Sequence, residues 1–225
     1  MINLLSELRW QVFILLNTII LLFCSEIIFA TVLSTGAGHN CAIQADNTLI
    51  CWGSNGWGQA IPPSGTFSQV SAGNNHSCGI RTNNTVVCWG GINNQSESPP
   101  SCTFSQISAG GNQSCGIKTD GSVVCWGGNK ERDAPKDTLS QVSVGYAHIC
   151  GIRTDDNTVE CWGNDRKMYN QIFSVTGNLL PPTGTFYRVD ASSTYSCGIR
   201  LDDNTAVCWG WDPDSRASPD RKSVV

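Results

Sequence analysis

The chain of 225 residues carries a formal net charge of −4 with only 14% charged residues. It therefore lacks the basic surface that phosphate-backbone binding needs, and no Lys/Arg cluster supplies one locally, so nucleic acid is not an expected partner. With 23 glycines, abundant Asn, Ser and Thr, and no helix-period apolar pattern after residue 30, the composition argues against a helical core and fits short strands joined by tight polar turns.

Residues 1–30 stand apart. Val12 to Phe23 is apolar except for Asn17 and Thr18, Arg9 and Glu7 precede it, and Ile28-Phe29-Ala30 ends on a small residue. This reads as a secretory signal peptide with a cleavage point after Ala30. Left uncleaved, it would be a membrane anchor, and only then is a membrane contact expected. Either way the chain is expected to be secreted or extracytoplasmic.

Residues 31–225 write one unit five times. Its centre is Cys115-Gly-Ile-Lys-Thr-Asp-Gly-Ser-Val-Val-Cys125-Trp126-Gly127, in which two short apolar-alternating runs flank an Asp-Gly turn and a cysteine sits at each outer end. The copies are Cys41 to Gly53, Cys78 to Gly90, Cys150 to Gly163 and Cys197 to Gly210. Each reads as a β-hairpin preceded by a strand such as Gln69-Val70-Ser71-Ala72-Gly73 and followed by a loop with a Pro element, Pro62-Pro63 or Pro99-Pro100. An apolar residue after that loop (Phe67, Phe104, Leu139, Phe186 or Val224) is placed to seat one unit on the next. A period of about 37 residues is the signature of a propeller or solenoid. The predicted fold is thus an all-β propeller of five antiparallel blade-like repeats. It forms a closed ring or an open arc; a ring could complete its last blade with strands from both termini, which share one repeat phase.

Ten of the 12 cysteines form five regularly spaced pairs, Cys41/Cys51, Cys78/Cys88, Cys115/Cys125, Cys150/Cys161 and Cys197/Cys208, which points to an oxidising compartment. A hairpin places the two members of a pair on adjacent strands within disulfide reach, and a bond there would contribute about 2–3 kcal/mol. Bonds between neighbouring units and unpaired buried thiols are the alternatives. The fourth and fifth units add a turn residue, at Asp155-Asp156-Asn157 and Asp202-Asp203-Asn204, which a longer turn or a bulge must absorb. Cys102 has no counterpart in the other units, so it implies a free thiol or an intermolecular bond.

The motif Gly73-Asn-Asn-His-Ser-Cys-Gly-Ile-Arg81 with Val86-Val-Cys-Trp-Gly90, kept in order and spacing through five copies, resembles the regulator of chromosome condensation repeat family. The cysteine-paired form is similar to its extracellular members, secreted propellers related to beta-lactamase inhibitor protein II and ectodomains of crinkly-type receptor kinases. The resemblance implies blades of antiparallel strands around a central channel, usually seven to a ring. The nucleotide-exchange role of nuclear members does not carry over, because the export signal and cysteine pairs place this chain in another compartment.

Candidate sites are weighed on that frame. His39, His76 and His148 share one repeat position, held by Gln113 and Tyr195 in the other units. Successive units would carry these side chains around a ring rather than converge them on an ion, so they are expected to satisfy turn backbone groups, and no metal or cofactor is expected. Trp52, Trp89, Trp126, Trp162 and Trp209 recur once per unit and are expected to pack between blades, whereas Trp57 and Trp211 lie off the repeat in loops. Exposed turns account for Asp155, Asp156, Asp202 and Asp203 better than weak Ca²⁺ sites. Asn75, Asn83, Asn94 and Asn112 begin glycosylation sequons. No acid, base or nucleophile set unique to one blade is present, so the chain reads as a non-enzymatic protein-binding module; a structural segment of a larger ectodomain is the alternative, and a hydrolytic propeller a weaker one. The fourth unit carries an insertion within Asn164 to Leu180, and its Arg166, Lys167, Met168, Tyr169, Ile172 and Phe173 are the candidate contacts for an unidentified protein partner.

Overall fold

Successive side chains of a strand point to opposite faces, and each unit places apolar residues on both, as in Val86-Val87-Cys88-Trp89; each hairpin closes through a turn that needs one left-handed residue. A computed structural model describes residues 32–91, 98–128, 134–146, 148–163 and 180–210. These belong to one unit spanning Thr31–Val225. The signal segment and the 164–179 stretch, with all six candidate contacts from Arg166 to Phe173, lie outside the described residues, as do Trp211 and Val224.

The described residues form five three-stranded antiparallel sheets, each in chain order. The first is β1 (Val32–Thr35), β2 (His39–Ile43) and β3 (Leu49–Gly53); the second β4 (Phe67–Ala72), β5 (His76–Arg81) and β6 (Val86–Gly90). The third is β7 (Phe104–Ala109), β8 (Ser114–Lys118) and β9 (Val123–Trp126); the fourth β10 (Leu139–Val144), β11 (His148–Arg153) and β12 (Val159–Gly163). The fifth is β13 (Phe186–Ala191), β14 (Tyr195–Arg200) and β15 (Ala206–Gly210). This is a propeller-type array of five blades. The first strand, β1, pairs with its own hairpin at β2 and so belongs to the first blade rather than completing the last.

In each hairpin the cysteines face each other directly, as in Cys41↔Cys51 and Cys115↔Cys125. The structure joins them within the hairpin: Cys41–Cys51, Cys78–Cys88, Cys115–Cys125, Cys150–Cys161 and Cys197–Cys208. The extra residue of the fourth and fifth units leaves this register intact, with Cys150↔Cys161 and Cys197↔Cys208 opposed as elsewhere. The turn absorbs it: Arg153 N–H donates to Thr158 O, where Arg81 N–H donates to Thr85 O in the second sheet. Bulges occur instead at the start of the first strand, between Phe67 and Gln69 and at its copies.

All five turns share one device. The side-chain oxygen of Asp46, Asn83, Asp120, Asp156 or Asp203 accepts from both the backbone N–H and the hydroxyl of the Thr or Ser two residues on. Those hydroxyl and backbone bonds hold the carboxyls of Asp46, Asp120, Asp156 and Asp203 below the usual range. The residue between them is left-handed: Asn47, Asn84, Asn157 and Asn204 at φ 58 to 66°, and Gly121 at φ 85°. Asn tolerates that conformation, and a β-branched residue does not. Asn84→Val is therefore expected to lower stability by about 1–3 kcal/mol, while Asn84→Gly stays near the parent; denaturant midpoints of the two variants check this.

Candidate functional site: the blade joints and end faces

No single sheet has an interior of its own, so the core is divided among four joints. At the first, Cys41 and Ile43 of one sheet pack on Phe67, Val70 and Trp89 of the next. At the second, Cys78 and Ile80 meet Phe104, Ile107 and Trp126. At the third, Cys115 and Ile117 meet Leu139, Val142 and Ile149, and at the fourth, Cys150, Ile152 and Val159 meet Phe186 and Val189. Each blade thus offers a trailing face built on its disulfide and receives the next blade's leading face, built on a Phe or Leu, a Val or Ile, and a Trp. The ring of Phe67 presses on the backbone of the following hairpin: a Cβ added at Gly79 would sit 2.7 Å from it. The same holds for Gly116 against Phe104 and Gly198 against Phe186.

Polar groups register the joints. Ala72 N–H donates to Ser34 Oγ at 2.9 Å, and Ala109, Val144 and Ala191 repeat this with Ser71, Ser108 and Ser143. Gln69 bridges to Ile107, Gln106 to Val142 and Gln141 to Val189, each amide side chain donating to and accepting from one backbone residue. At the loop tips Ala37 N–H donates to Gly73 O, and Asn74 N–H to Gly110 O.

The histidines belong to this set, which corrects the expectation that they serve turn backbone groups. His39 Nε2 lies 2.7 Å from Ser77 Oγ, His76 Nε2 2.9 Å from Ser114 Oγ, and His148 Nε2 2.6 Å from Ser196 Oγ, each time in the following blade. All three are buried. The partner is the residue before the hairpin cysteine one unit later, so sequence spacing alone gave no sign of it. Where the third unit has Gln113, the fourth has Ile149 rather than Ser, and the pair changes together. Among the described residues no group of three or more His, Cys, Asp or Glu side chains could hold a metal ion.

The tryptophans divide by position. Trp89 and Trp126 are buried, at 9% and 7% exposure, whereas Trp52 is 46% exposed. Among the described residues no blade covers this face of the first sheet, so the residue that packs elsewhere is uncovered there, together with Leu33 at 60% and Ile50 at 42%. The opposite end face is also open: Cys197 and Ile199 are partly exposed and Ala206 is exposed. It departs from the repeat as well, with Arg188, Asp190, Ser192 and Tyr195 where the other blades favour Gln, Ser, Gly and His. Trp57 is an exposed loop residue. Cys102 is a free, partly buried thiol in an open cleft of about 380 Å³ with Thr85, Val86, Pro99 and Pro100.

Residues 67–96 and 104–131 match the family model described as Regulator of chromosome condensation (RCC1) repeat. The structure is similar to the CRINKLY WD40 ectodomain of the Arabidopsis thaliana receptor kinase ACR4, with 29% identity and a TM-score of 0.64 over 83% of this chain and 66% of that one. It is similar to the entire ectodomain of the Physcomitrella patens receptor kinase CR4, with 25% identity and a TM-score of 0.69 over 83% of this chain and 53% of that one. Yeast RCC1 (Prp20), solved with Kap60 bound, shares the fold at 15% identity and a TM-score of 0.64 over 83% of this chain and 57% of that one. The chain thus spans between half and two thirds of these neighbours' lengths. No curated protein matches the chain. Two blades match the repeat directly, and the other three share their strands, joints and disulfides: the fold is of the propeller class, and the chain is similar to RCC1-repeat proteins.

Two outcomes follow from the joints. Ile107→Ala, at a position 2% exposed, should cost about 2–5 kcal/mol, while Leu33→Ala at the equivalent place in the first blade should stay within about 0.5 kcal/mol; equal losses in urea titrations would mean that the first end face is covered. Maleimide labelling of the folded, non-reduced chain should mark Cys102 and leave the five hairpin pairs unmodified by peptide mass mapping. Label on any hairpin cysteine would contradict the pairing.

Proposed function

We propose that this chain is an extracytoplasmic, non-enzymatic protein-binding module exported by its N-terminal segment. The observation that carries this is the combination of five hairpin disulfides with likeness to two receptor-kinase ectodomains. Disulfides persist in oxidising compartments. The repeated chemistry of the chain is taken up by architecture: the cysteines brace hairpins, the histidines and serines pin joints, and the turn aspartates bind their own loops. What remains for recognition is the sequence that breaks the repeat. Yeast Prp20, which shares the fold, is recorded with the protein Kap60, and a second structure of Prp20p addresses its binding to Gsp1p and histones; a protein partner suits this scaffold, and a net charge of −4 does not suit nucleic acid.

The binding element we assign is the fourth unit's insertion, with Arg166, Lys167, Met168, Tyr169, Ile172 and Phe173 as contacts, because insertions in repeat proteins gather on one face and these residue types are enriched in interface cores. Deleting Arg166 to Phe173 should abolish capture of the partner from extracellular fluid and leave the thermal midpoint within a few degrees of the parent. Capture that survives the deletion would sink the assignment. A second reading, a structural segment of a longer repeat ectodomain, is favoured by the uncovered Leu33, Ile50 and Trp52 face.

A further inference from the structure

We propose that the first two blade joints form an acid-sensitive latch: protonation of His39 and His76 loosens the first three blades from one another while the joint between the third and fourth blades holds. When Ser77 Oγ gives its proton to Gln59 O at 3.3 Å, the His39 ring donates through Nε2 and Nδ1 is the unprotonated nitrogen; we assign His76 the same tautomer with Ser114. Nδ1 of His39 and of His76 is buried with no hydrogen-bond partner. The space above each ring is closed by a loop-tip glycine. A Cβ added at Gly36 would stand 2.8 Å from His39 Cε1 and 2.3 Å from Gly73 O, and one at Gly73 would stand 2.7 Å from His76 Cε1 and 2.4 Å from Gly110 O. A proton added at Nδ1 therefore brings a charge and a donor into a buried, close-packed site where that nitrogen has no hydrogen-bond partner.

No carboxylate lies on the described strands packed around these rings. The strands packed on His39 are β1, β3, β4 and β5, and the titratable or charged side chains they carry are His76 and Arg81. Around His76 the strands β4, β6, β7 and β8 add only Lys118, and β2 brings His39. Arg81 and Lys118 are cations at the far ends of their strands, where Arg81 stacks over Phe67 and donates to Ser64 O. Burial lowers the pKa of His39, and burial followed by repulsion from His39 lowers that of His76 to about 4. Protonation thus favours any state in which these rings reach water, and the joint-spanning contacts are what such a state gives up. Since the folded pKa lies below the unfolded value of 6.5, the stabilisation is complete above that value and is lost as pH falls from there toward 4. The third joint has Gln113 facing the unit of Ile149 and carries no histidine to titrate.

The backbone amides that cross the joints report on this directly in the full chain. Ala72 and Ala109 N–H groups span the first and second joints, and Val142 and Val144 N–H groups span the third. Residue-resolved hydrogen exchange, corrected for the intrinsic pH dependence, should show protection at Ala72 and Ala109 falling by roughly tenfold to a hundredfold between pH 7 and pH 4.5, with Val142 and Val144 changing less than about threefold. In a His39→Gln, His76→Gln variant, which copies the residue the third blade already uses, that fall should disappear. A uniform loss at all four amides, no loss at Ala72 and Ala109, or an unchanged loss in the variant would each overturn the proposal. The parent comparison decides the matter even if the variant does not fold.

Discussion

Everything in this fold depends on one constraint: a three-stranded sheet of this length is apolar on both faces and cannot bury either by itself. The faces are covered only by stacking, so the core exists as four joints rather than one interior. This explains why the repeat conserves its pattern within the chain so strictly. A trailing disulfide, a leading Trp and a serine awaiting a backbone N–H are all halves of contacts completed in a neighbouring unit. Stability is then close to a sum over joints, and each joint can be tuned separately.

The ends show what the constraint costs when it is not met. At the first blade Leu33, Ile50 and Trp52 keep the apolar character of their buried counterparts and remain exposed. At the fifth blade the residues change instead. Ser192 stands where Gly36, Gly73, Gly110 and Gly145 do, and a Cβ at each of those glycines would come 2.1 to 2.4 Å from a backbone oxygen of the following blade. Arg188 replaces the Gln of the interior blades, while Asp190 accepts from Ser143 Oγ of the fourth blade at 3.0 Å. The fifth blade thus departs from the interior pattern on this face, whereas the first retains the surface of an interior blade.

Much of the architecture was legible in the sequence because it is periodic. The hairpins and the seating role of Phe67, Phe104, Leu139 and Phe186 follow from comparing units, since the same physical demand leaves the same residue each time. The joint partners of His39 and His76 were not legible. Their serines lie in other units, adjacent to a cysteine that already had an explanation, and only the stacking brings Nε2 to Oγ. The exposure of Trp52 was likewise hidden, because a repeat reads identically whether or not a blade precedes it. The candidate binding insertion was found by the opposite logic, as the place where periodicity fails, and its six residues lie outside the described part of the chain.

The central claim is that neighbouring blades are joined by interdigitated apolar faces in chain order. Nuclear Overhauser contacts in the isotope-labelled chain test it most directly. The account predicts cross-peaks from the Trp89 indole to the methyls of Ile43 and from the Trp126 indole to the methyls of Ile80, reflecting their shared clusters. Absence of both, with each hairpin otherwise intact, would contradict it.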